Sequence, residues 1–370
     1  MVSIVAFVFL LIFKKRQNAS VADVLCVIGV LVFSLLILML GGVLSPGYYT
    51  KWVIFAFALL FYLVTLRSDE DVSDGIFKLL FLSVVVQSAF FVFQSFDDLA
   101  YVELTSGTFI KFCFDNKNSA AMHLLTLCCI SVLYAERLKT KQEKFKIILP
   151  LITFAICFYF ILKTGSRSSL IGAIFILPFF IAPSIKKYIT RPILLLFVLS
   201  PFIFAVIYIA LYKAGFGDLQ FLGRKIFNGR EELWIPVFEG NLYNWMFGMF
   251  SQFTRPDGIP FQLHNGIIDL IASYGSIVTI AFLTMIYKSL AKLLDTKNNT
   301  NRMVVICICA LIFQSIGEAA LFNGTRAIYI CMILAFIERK TNNDIFTNNK
   351  ENTKDGTKYF KGNTENLQKT

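Results

Sequence analysis

The chain has 370 residues, of which 56% are hydrophobic and only 16% are charged. A soluble domain carries roughly a quarter charged residues, so this composition excludes an ordinary soluble protein. The formal net charge of +11 could indicate nucleic acid as a partner, but the excess lies in connections between apolar runs, where it sets membrane topology and meets anionic headgroups, so we expect no nucleic acid partner.

The apolar residues come in about eleven blocks, most of them near the roughly 20 residues that a helix needs to cross a bilayer. A helix satisfies its own backbone hydrogen bonds inside lipid, and the alternation typical of a β-barrel is missing from the sequence. We therefore predict an all-α, polytopic integral membrane protein with about 11 (10–12) transmembrane helices. The blocks are Val2–Phe13, Val21–Val43, Tyr48–Leu66, Ile76–Phe93, Ala120–Tyr134, Phe145–Leu162, Ser169–Ile185, Ile193–Leu211, Gly266–Tyr287, Met303–Phe322 and Ala327–Ile337.

These blocks divide the chain into four regions. About eight helices fill residues 1–211, one large polar loop follows at 212–265, further spans occupy 266–338, and a polar tail, expected to be disordered, occupies 339–370. Lysine and arginine concentrate in alternate connections, which the positive-inside rule places in the cytoplasm. The large loop is then periplasmic and the C-terminus cytoplasmic; the side of the N-terminus depends on whether the short first block spans.

The first polar motif of interest is S-R-S, with Arg167 at the junction of the sixth and seventh blocks. An interfacial arginine that keeps its head in water is one interpretation. A planar guanidinium that binds phosphate through two parallel hydrogen bonds is the other.

The second motif is N-G-R-E-E-L-W, which starts at Asn228 and predicts a turn followed by a helix opening at Arg230. In the structural interpretation the two acids favour the helix N-terminus and Trp234 anchors the helix at the interface. Together with Arg224 and Lys225 just upstream, Arg230 makes this loop locally basic, as an anionic lipid-phosphate substrate would require.

The third motif is the pair His264 and Asn265 at the start of the ninth block. One of the two could cap the helix, and a histidine at a lipid–water boundary is also a candidate general acid or base. Glu318 lies in the tenth block near its outer end, where an ionisable residue is costly and is a functional candidate; an ion pair with Arg326 is the structural alternative. The chain's other histidine, His123, lies in an apolar block and is interpreted as a buried, hydrogen-bonded residue.

In this order S-R-S, N-G-R-E-E-L-W, F-G-M-F and H-N-G before an apolar span with Gly275 resemble the O-antigen ligase/polymerase family of bacterial inner-membrane enzymes. The resemblance covers roughly residues 162–286, and D-N-K-N-S-A around Asn118 is similar to the family's Asn before a small-residue helix. Two departures stand out. Gly248 is followed by Met249 and Phe250 instead of completing the family's usual G-x-G turn, and the family often has twelve spans.

The resemblance implies glycosyl transfer from an undecaprenyl-diphosphate-linked oligosaccharide on the periplasmic side of the inner membrane. It implies catalytic roles for Arg167 and Arg230, which would stabilise the leaving diphosphate, and for His264, which would act at the acceptor hydroxyl. The residues assigned to substrate binding are Arg224, Asn265, Trp234, Asn118 and Glu318. The transfer would invert the sugar carbon and would use no metal and no cofactor.

Within this family we predict a polysaccharide polymerase that extends a repeat-unit chain of O-antigen, capsule or exopolysaccharide. The partners are then the lipid-linked oligosaccharide, the lipid bilayer and a chain-length regulator protein. The alternative within the family is an O-antigen ligase that transfers the glycan to lipid A core. The alternative of another class is a polysaccharide flippase or other transporter, which predicts internal repeats, more intramembrane charges and shorter outer loops.

Overall fold

The computed structural model describes residues 70–104, 107–114, 116–218, 220–221, 224–225, 227, 229–248, 263–295 and 299–318. Three predicted N-terminal blocks, the eleventh block and the polar tail lie outside the described residues. The described part is mostly helical, which confirms the all-α class. Its helices are α1 (Glu70–Gln94), α2 (Lys117–Thr140), α3 (Ile148–Thr164), α4 (Arg167–Ile181), α5 (Arg191–Lys213), α6 (Arg230–Glu239), α7 (Leu242–Phe247), α8 (Gly266–Asp295) and α9 (Asn299–Gln314).

Four helices of the described residues are long and apolar enough to cross a membrane, namely Lys117–Thr140, Phe145–Thr164, Arg191–Lys213 and Gly275–Asp295. Shorter apolar helices cover Lys78–Gln94, Arg167–Ile181 and Asn299–Gln314. Each of these seven segments overlaps a block that the sequence predicts as a span.

Helix α2 forms the centre of the bundle. Most of its side chains are buried, and it packs against α1, α3, α4 and α9. Outside this layer α5 and α8 pack against α9 and against each other, and the short helices α6 and α7 pack on α8. A second apolar cluster around Trp234 joins α5, α6 and the first part of α8.

Two short antiparallel hairpins lie in the connections between helices. Strands β1 (Tyr101–Leu104) and β2 (Gly107–Ile110) pair after α1. Strands β3 (Gln220–Phe221) and β4 (Arg224–Lys225) pair after α5.

Two predicted blocks end earlier in the structure than predicted, and a third is broken within its length. The seventh was predicted to run to Ile185, but α4 ends at Ile181 because Pro183 begins a tighter 3₁₀ turn. The ninth was predicted as one span from Gly266, but α8 breaks at Gly275, which has φ 80° and ψ 165°. The backbone at Met246, in α7, lies directly against Gly275 and leaves no room for a side chain there.

The tenth block was predicted to run to Phe322 with Glu318 inside the span. In the structure α9 ends at Gln314, and a turn carries the chain through Gly317 to Glu318. The helix ends there because the Ser315 carbonyl accepts a hydrogen bond of 2.8 Å from the Gly266 amide at the start of α8. Glu318 therefore lies beyond the end of the helix and not within it.

Candidate functional site

The carboxylate of Glu318 is the meeting point of three motifs that are far apart in the sequence. Its Oε1 accepts a hydrogen bond of 2.7 Å from the amide of Asn118, and its Oε2 lies 3.0 Å from Nδ1 of His264. Nη2 of Arg230 lies 3.7 Å from Oε1. We call these four residues the Glu318 cluster.

The cluster brings a buried acid together with two partly exposed cationic or titratable groups. The Glu318 side chain is 4% exposed, that of Arg230 is 24% exposed and that of His264 is 31% exposed. A buried carboxylate needs partners to offset the loss of hydration, and the cluster supplies three. The arginine and the histidine remain accessible to a ligand from outside.

Arg230 is placed by the turn that opens α6. Gly229 before it has φ 86°, a left-handed conformation that favours glycine. The buried carboxylate of Glu231 accepts a hydrogen bond of 3.1 Å from the Gly229 amide and another of 3.1 Å from the hydroxyl of Tyr208. The chain is thus fixed on both sides of Arg230.

His264 is placed by the residue that follows it. Asn265 is fully buried, and its Oδ1 accepts hydrogen bonds of 3.1 Å from the amides of Ile267 and Ile268. Its amide nitrogen donates to the carbonyls of Pro201 and Ile316. Asn265 therefore caps α8 and ties it to α5 and to the turn after α9.

The backbone of His264 itself has φ +49°. This left-handed conformation is uncommon outside glycine, although Asn, Asp and His adopt it more often than other residues. His264 is free of the capping role, because Asn265 takes it. The side chain of His264 is thus available for another purpose.

The S-R-S motif reaches the same place through Ser168. A methyl group built on Gly317 would lie 3.4 Å from Nη1 of Arg230 and 3.8 Å from Cβ of Ser168. Arg167, the first residue of α4, is exposed and makes no hydrogen bond or ion pair with any described residue. The structure therefore brings the start of α4 to the cluster, with the Arg167 side chain in solvent.

Beneath this turn lies a buried polar chain. Gln314 donates from Nε2 to the hydroxyl of Ser169 at 2.5 Å, and the hydroxyls of Ser169 and Ser166 are 3.1 Å apart. These contacts fasten the end of α9 to the start of α4, so they hold the turn with Gly317 and Glu318 in place.

Several helices begin at this site. Four helices, α2, α4, α6 and α8, begin close to Glu318 or Gly317, as the contacts of Asn118, Ser168, Arg230 and His264 show. Helix N-termini carry a partial positive charge and unpaired N–H groups, which favour anions. Glu318 offsets part of this charge and of the charge of Arg230.

Trp234 and His123, which the sequence also singles out, make their hydrogen bonds to residues outside the cluster. Trp234 is completely buried, and its indole N–H donates to the Leu263 carbonyl at 2.5 Å, so it positions the residue before His264. Arg224 lies in β4. Arg326, the suggested partner of Glu318, is outside the described residues. His123 is hydrogen-bonded to Gln87 of α1.

Glu231 and Ser168 belong to this site but did not stand out in the sequence. Glu231 and Glu232 are adjacent acids with the same expected preference for a helix N-terminus, yet only Glu231 is buried and fixes the turn. Ser168 shares the S-R-S motif with the more conspicuous Arg167. Both side chains acquire their place from contacts between helices, which local patterns do not encode.

Comparison with models of known protein families, with curated proteins and with solved structures gives no match for this chain.

Proposed function

We propose that the chain is a bacterial inner-membrane polysaccharide polymerase. It transfers a glycan from undecaprenyl diphosphate to a growing repeat-unit chain on the periplasmic side. The proposal includes about eleven spans, with the segment 212–265 as a large periplasmic loop. The observation that supports it is the convergence of Asn118, Arg230 and His264 on Glu318, because three sequence motifs of the suggested family supply these residues.

The geometry suits a displacement reaction with an anionic leaving group. Arg230 has no hydrogen bond to any described residue, so its N–H groups can bind a phosphate in a bidentate manner. Arg167, exposed at the start of α4, supplies a second cation from the same end of the bundle. Both charges stabilise the diphosphate as the bond between the sugar carbon and its oxygen breaks.

The imidazole of His264 serves the other side of the reaction. As the acceptor hydroxyl oxygen attacks the sugar carbon, Nε2 of His264 takes the hydroxyl proton, and the diphosphate leaves with the electron pair of the broken bond. A single displacement of this kind inverts the configuration at the sugar carbon. Glu318 stabilises the imidazolium that forms.

Reconstitution of the purified protein in nanodiscs tests the proposal. The substrate is the lipid-linked glycan extracted from a strain in which the gene is deleted. We expect a ladder of polymer lengths and release of undecaprenyl diphosphate, with and without a chelator of divalent metals. Transfer to added lipid A core without a ladder would establish the ligase alternative. The absence of both products would refute the proposed transferase.

A further inference from the structure

We propose that Glu318 is a positioning residue that holds the proton of the His264 imidazole on Nδ1 and leaves Nε2 as its basic nitrogen. The consequence of this arrangement for catalysis rests on the proposed function. The position of the proton does not rest on it, because that position follows from the contacts within the Glu318 cluster.

The buried carboxylate of Glu318 can only accept hydrogen bonds when it is ionised. Both oxygens of Glu318 are engaged, Oε1 by Asn118 at 2.7 Å and Oε2 by His264 at 3.0 Å. An ionised carboxylate only accepts hydrogen bonds. The amide N–H of Asn118 supplies the donor for Oε1. Because Oε2 can also only accept, its contact with His264 requires an N–H at Nδ1.

The hydrogen bond to Glu318 decides which nitrogen of the His264 imidazole carries the proton. A neutral imidazole carries one proton, and the hydrogen bond made by one nitrogen decides the state of the other. With Nδ1–H donating to Glu318, Nε2 is left with a lone pair. Nε2 makes no hydrogen bond to any described residue, and the side chain is 31% exposed, so an acceptor hydroxyl would meet no competing partner at Nε2 among the described residues.

Arg230 lies near Glu318 without a hydrogen bond to it. Its Nη2 lies 3.7 Å from Oε1 of Glu318, which exceeds the usual hydrogen-bond length of about 2.7–3.2 Å. Glu318 therefore attracts the guanidinium without occupying its N–H groups. A buried carboxylate that served only to anchor the arginine would be expected to bind it bidentately.

The two sides of the carboxylate thus have separate tasks. The hydrogen bond from Asn118 fixes the rotation of the carboxylate and directs Oε2 toward His264. A merely structural role for Glu318 predicts a loss of folded protein on substitution, and makes no demand on which nitrogen of His264 carries the proton.

Nitrogen-15 NMR of histidine-labelled protein in nanodiscs distinguishes the two roles. The chain has only 2 histidines, and a His123→Asn variant assigns their signals. In the wild type we expect neutral His264 to show a protonated Nδ1 and an unprotonated Nε2. A protonated Nε2 in the neutral wild-type ring would overturn the proposal without the use of any Glu318 variant.

Two variants then test the cause. Glu318→Leu removes the acceptor, and we expect the Nε2–H form of His264 to appear. The double variant Asn118→Asp/Glu318→Gln exchanges the two groups. The carboxylate at position 118 accepts from the amide nitrogen at position 318, and the amide oxygen at position 318 accepts from Nδ1 of His264. We therefore expect the wild-type signal to return. An unchanged His264 signal in Glu318→Leu would refute the proposal.

The control is Glu136→Leu, which removes another buried carboxylate, one that binds Lys186 at the opposite end of α2. We expect it to lower the amount of folded protein and to leave the His264 signal unchanged. In the polymerisation assay Glu318→Leu should lower kcat about 10²–10⁴-fold, the usual contribution of a general base, with a much smaller change in KM for the lipid donor. The double variant should recover at least part of kcat.

These results separate the two proposals. The expected NMR signals together with an inactive wild-type protein would refute the transferase and retain the role of Glu318. An active wild type whose His264 carries its proton on Nε2 would refute the positioning role and retain the transferase.

Discussion

Arg230 lies against a carboxylate and nevertheless keeps its hydrogen-bond donors available to a ligand. Lysine would preserve the charge but lose the planar fork, so we expect Arg230→Lys to reduce polymer formation about 10²–10³-fold, as loss of a transition-state donor commonly does. The measurement is the length and amount of surface polysaccharide in a complemented deletion strain, with protein level determined in parallel.

The matched control for this substitution is Arg191→Lys. Arg191 forms an exposed ion pair with Asp295, and an exposed pair contributes little to stability. We expect normal polysaccharide from this variant. Full-length polysaccharide from Arg230→Ala would show that the guanidinium does not bind the diphosphate.

The adjacent residues His264 and Asn265 should respond to substitution in opposite ways. His264→Asn keeps a residue that tolerates a positive φ and leaves the Asn265 cap intact, so we expect a normally inserted protein with about 10²–10⁴-fold lower activity. The assay is polymer formation per amount of folded protein.

For Asn265→Ala the expected defect is in stability. The variant loses the cap of α8 and leaves the carbonyls of Pro201 and Ile316 without this donor, and loss of a cap alone costs about 1 kcal/mol. Thermal unfolding of the purified variant measures this change. Near-wild-type chain length from His264→Asn would show that His264 is not the base.

The break of α8 at Gly275 depends on the absence of a side chain. A Cβ there would meet the backbone of α7 at Met246 and Phe247. Gly275→Ala should therefore displace α7 in addition to straining a backbone at φ 80°. We expect a clear drop in the thermal unfolding temperature of the protein in detergent.

Gly215→Ala is the matched control for the break in α8. Gly215 has φ +88° with no atom near the position of a Cβ, so its substitution introduces backbone strain of about 1 kcal/mol without a clash. If both variants lose the same stability, the contact with α7 contributes nothing, and the break is a property of the Gly275 backbone alone.

A buried ion pair joins α2 to the turn after α4. Nζ of Lys186 lies 2.6 Å from Glu136, and both side chains are almost completely buried. Removing one partner of a buried pair costs about 3–5 kcal/mol when the remaining charge has no other partner. Glu136 keeps the partly exposed Lys139, whose Nζ lies 3.6 Å from Oε2, so we expect a loss near the lower end of that range. We expect this loss from Lys186→Met, measured as reduced unfolding free energy in detergent.

The double variant Lys186→Met/Glu136→Gln should recover much of that stability, since it leaves no unpaired charge. A double variant as unstable as Lys186→Met would show that the packing of Lys186, and not its charge, is responsible. Either variant should leave the Glu318 cluster unchanged, because the pair lies near the other end of α2.

The Glu318 cluster and the Lys186–Glu136 pair are two buried polar centres near opposite ends of the described bundle. Asn118 and Glu136 both belong to α2, and the 18 positions between them correspond to about 27 Å along the helix. This distance is close to the roughly 30 Å thickness of the hydrocarbon core. Each centre is therefore expected near one surface of the membrane.

The sequence predicts the helical class and the approximate position of every long apolar helix among the described residues, because the length and polarity of such a helix are local properties. It does not predict the break at Gly275 or the end of α9 at Gln314, because contacts with α7 and with Gly266 determine them. The cluster shows the same division. Arg230, His264 and Glu318 are unusual residues for their surroundings, whereas the contact of Glu318 with Asn118 joins residues that are 200 positions apart.

The orientation of the bundle is the remaining prediction. The end that carries the Lys186–Glu136 pair also carries Arg137, Lys139 and Lys141 at the end of α2, and basic connections stay in the cytoplasm. The Glu318 cluster should then face the periplasm, where the proposed substrate is presented. Alkaline phosphatase, which is active only outside the cytoplasm, should be active when fused after Lys213 or Asp257 and inactive after Lys141 or Lys297. Lys141 is the C-cap of α2 and Lys213 ends α5. Helix α2 starts at the Glu318 cluster and α5 starts near the Lys186–Glu136 pair, so these two fusions report opposite ends of the bundle. The reversed pattern would place the cluster in the cytoplasm and remove it from any periplasmic glycan.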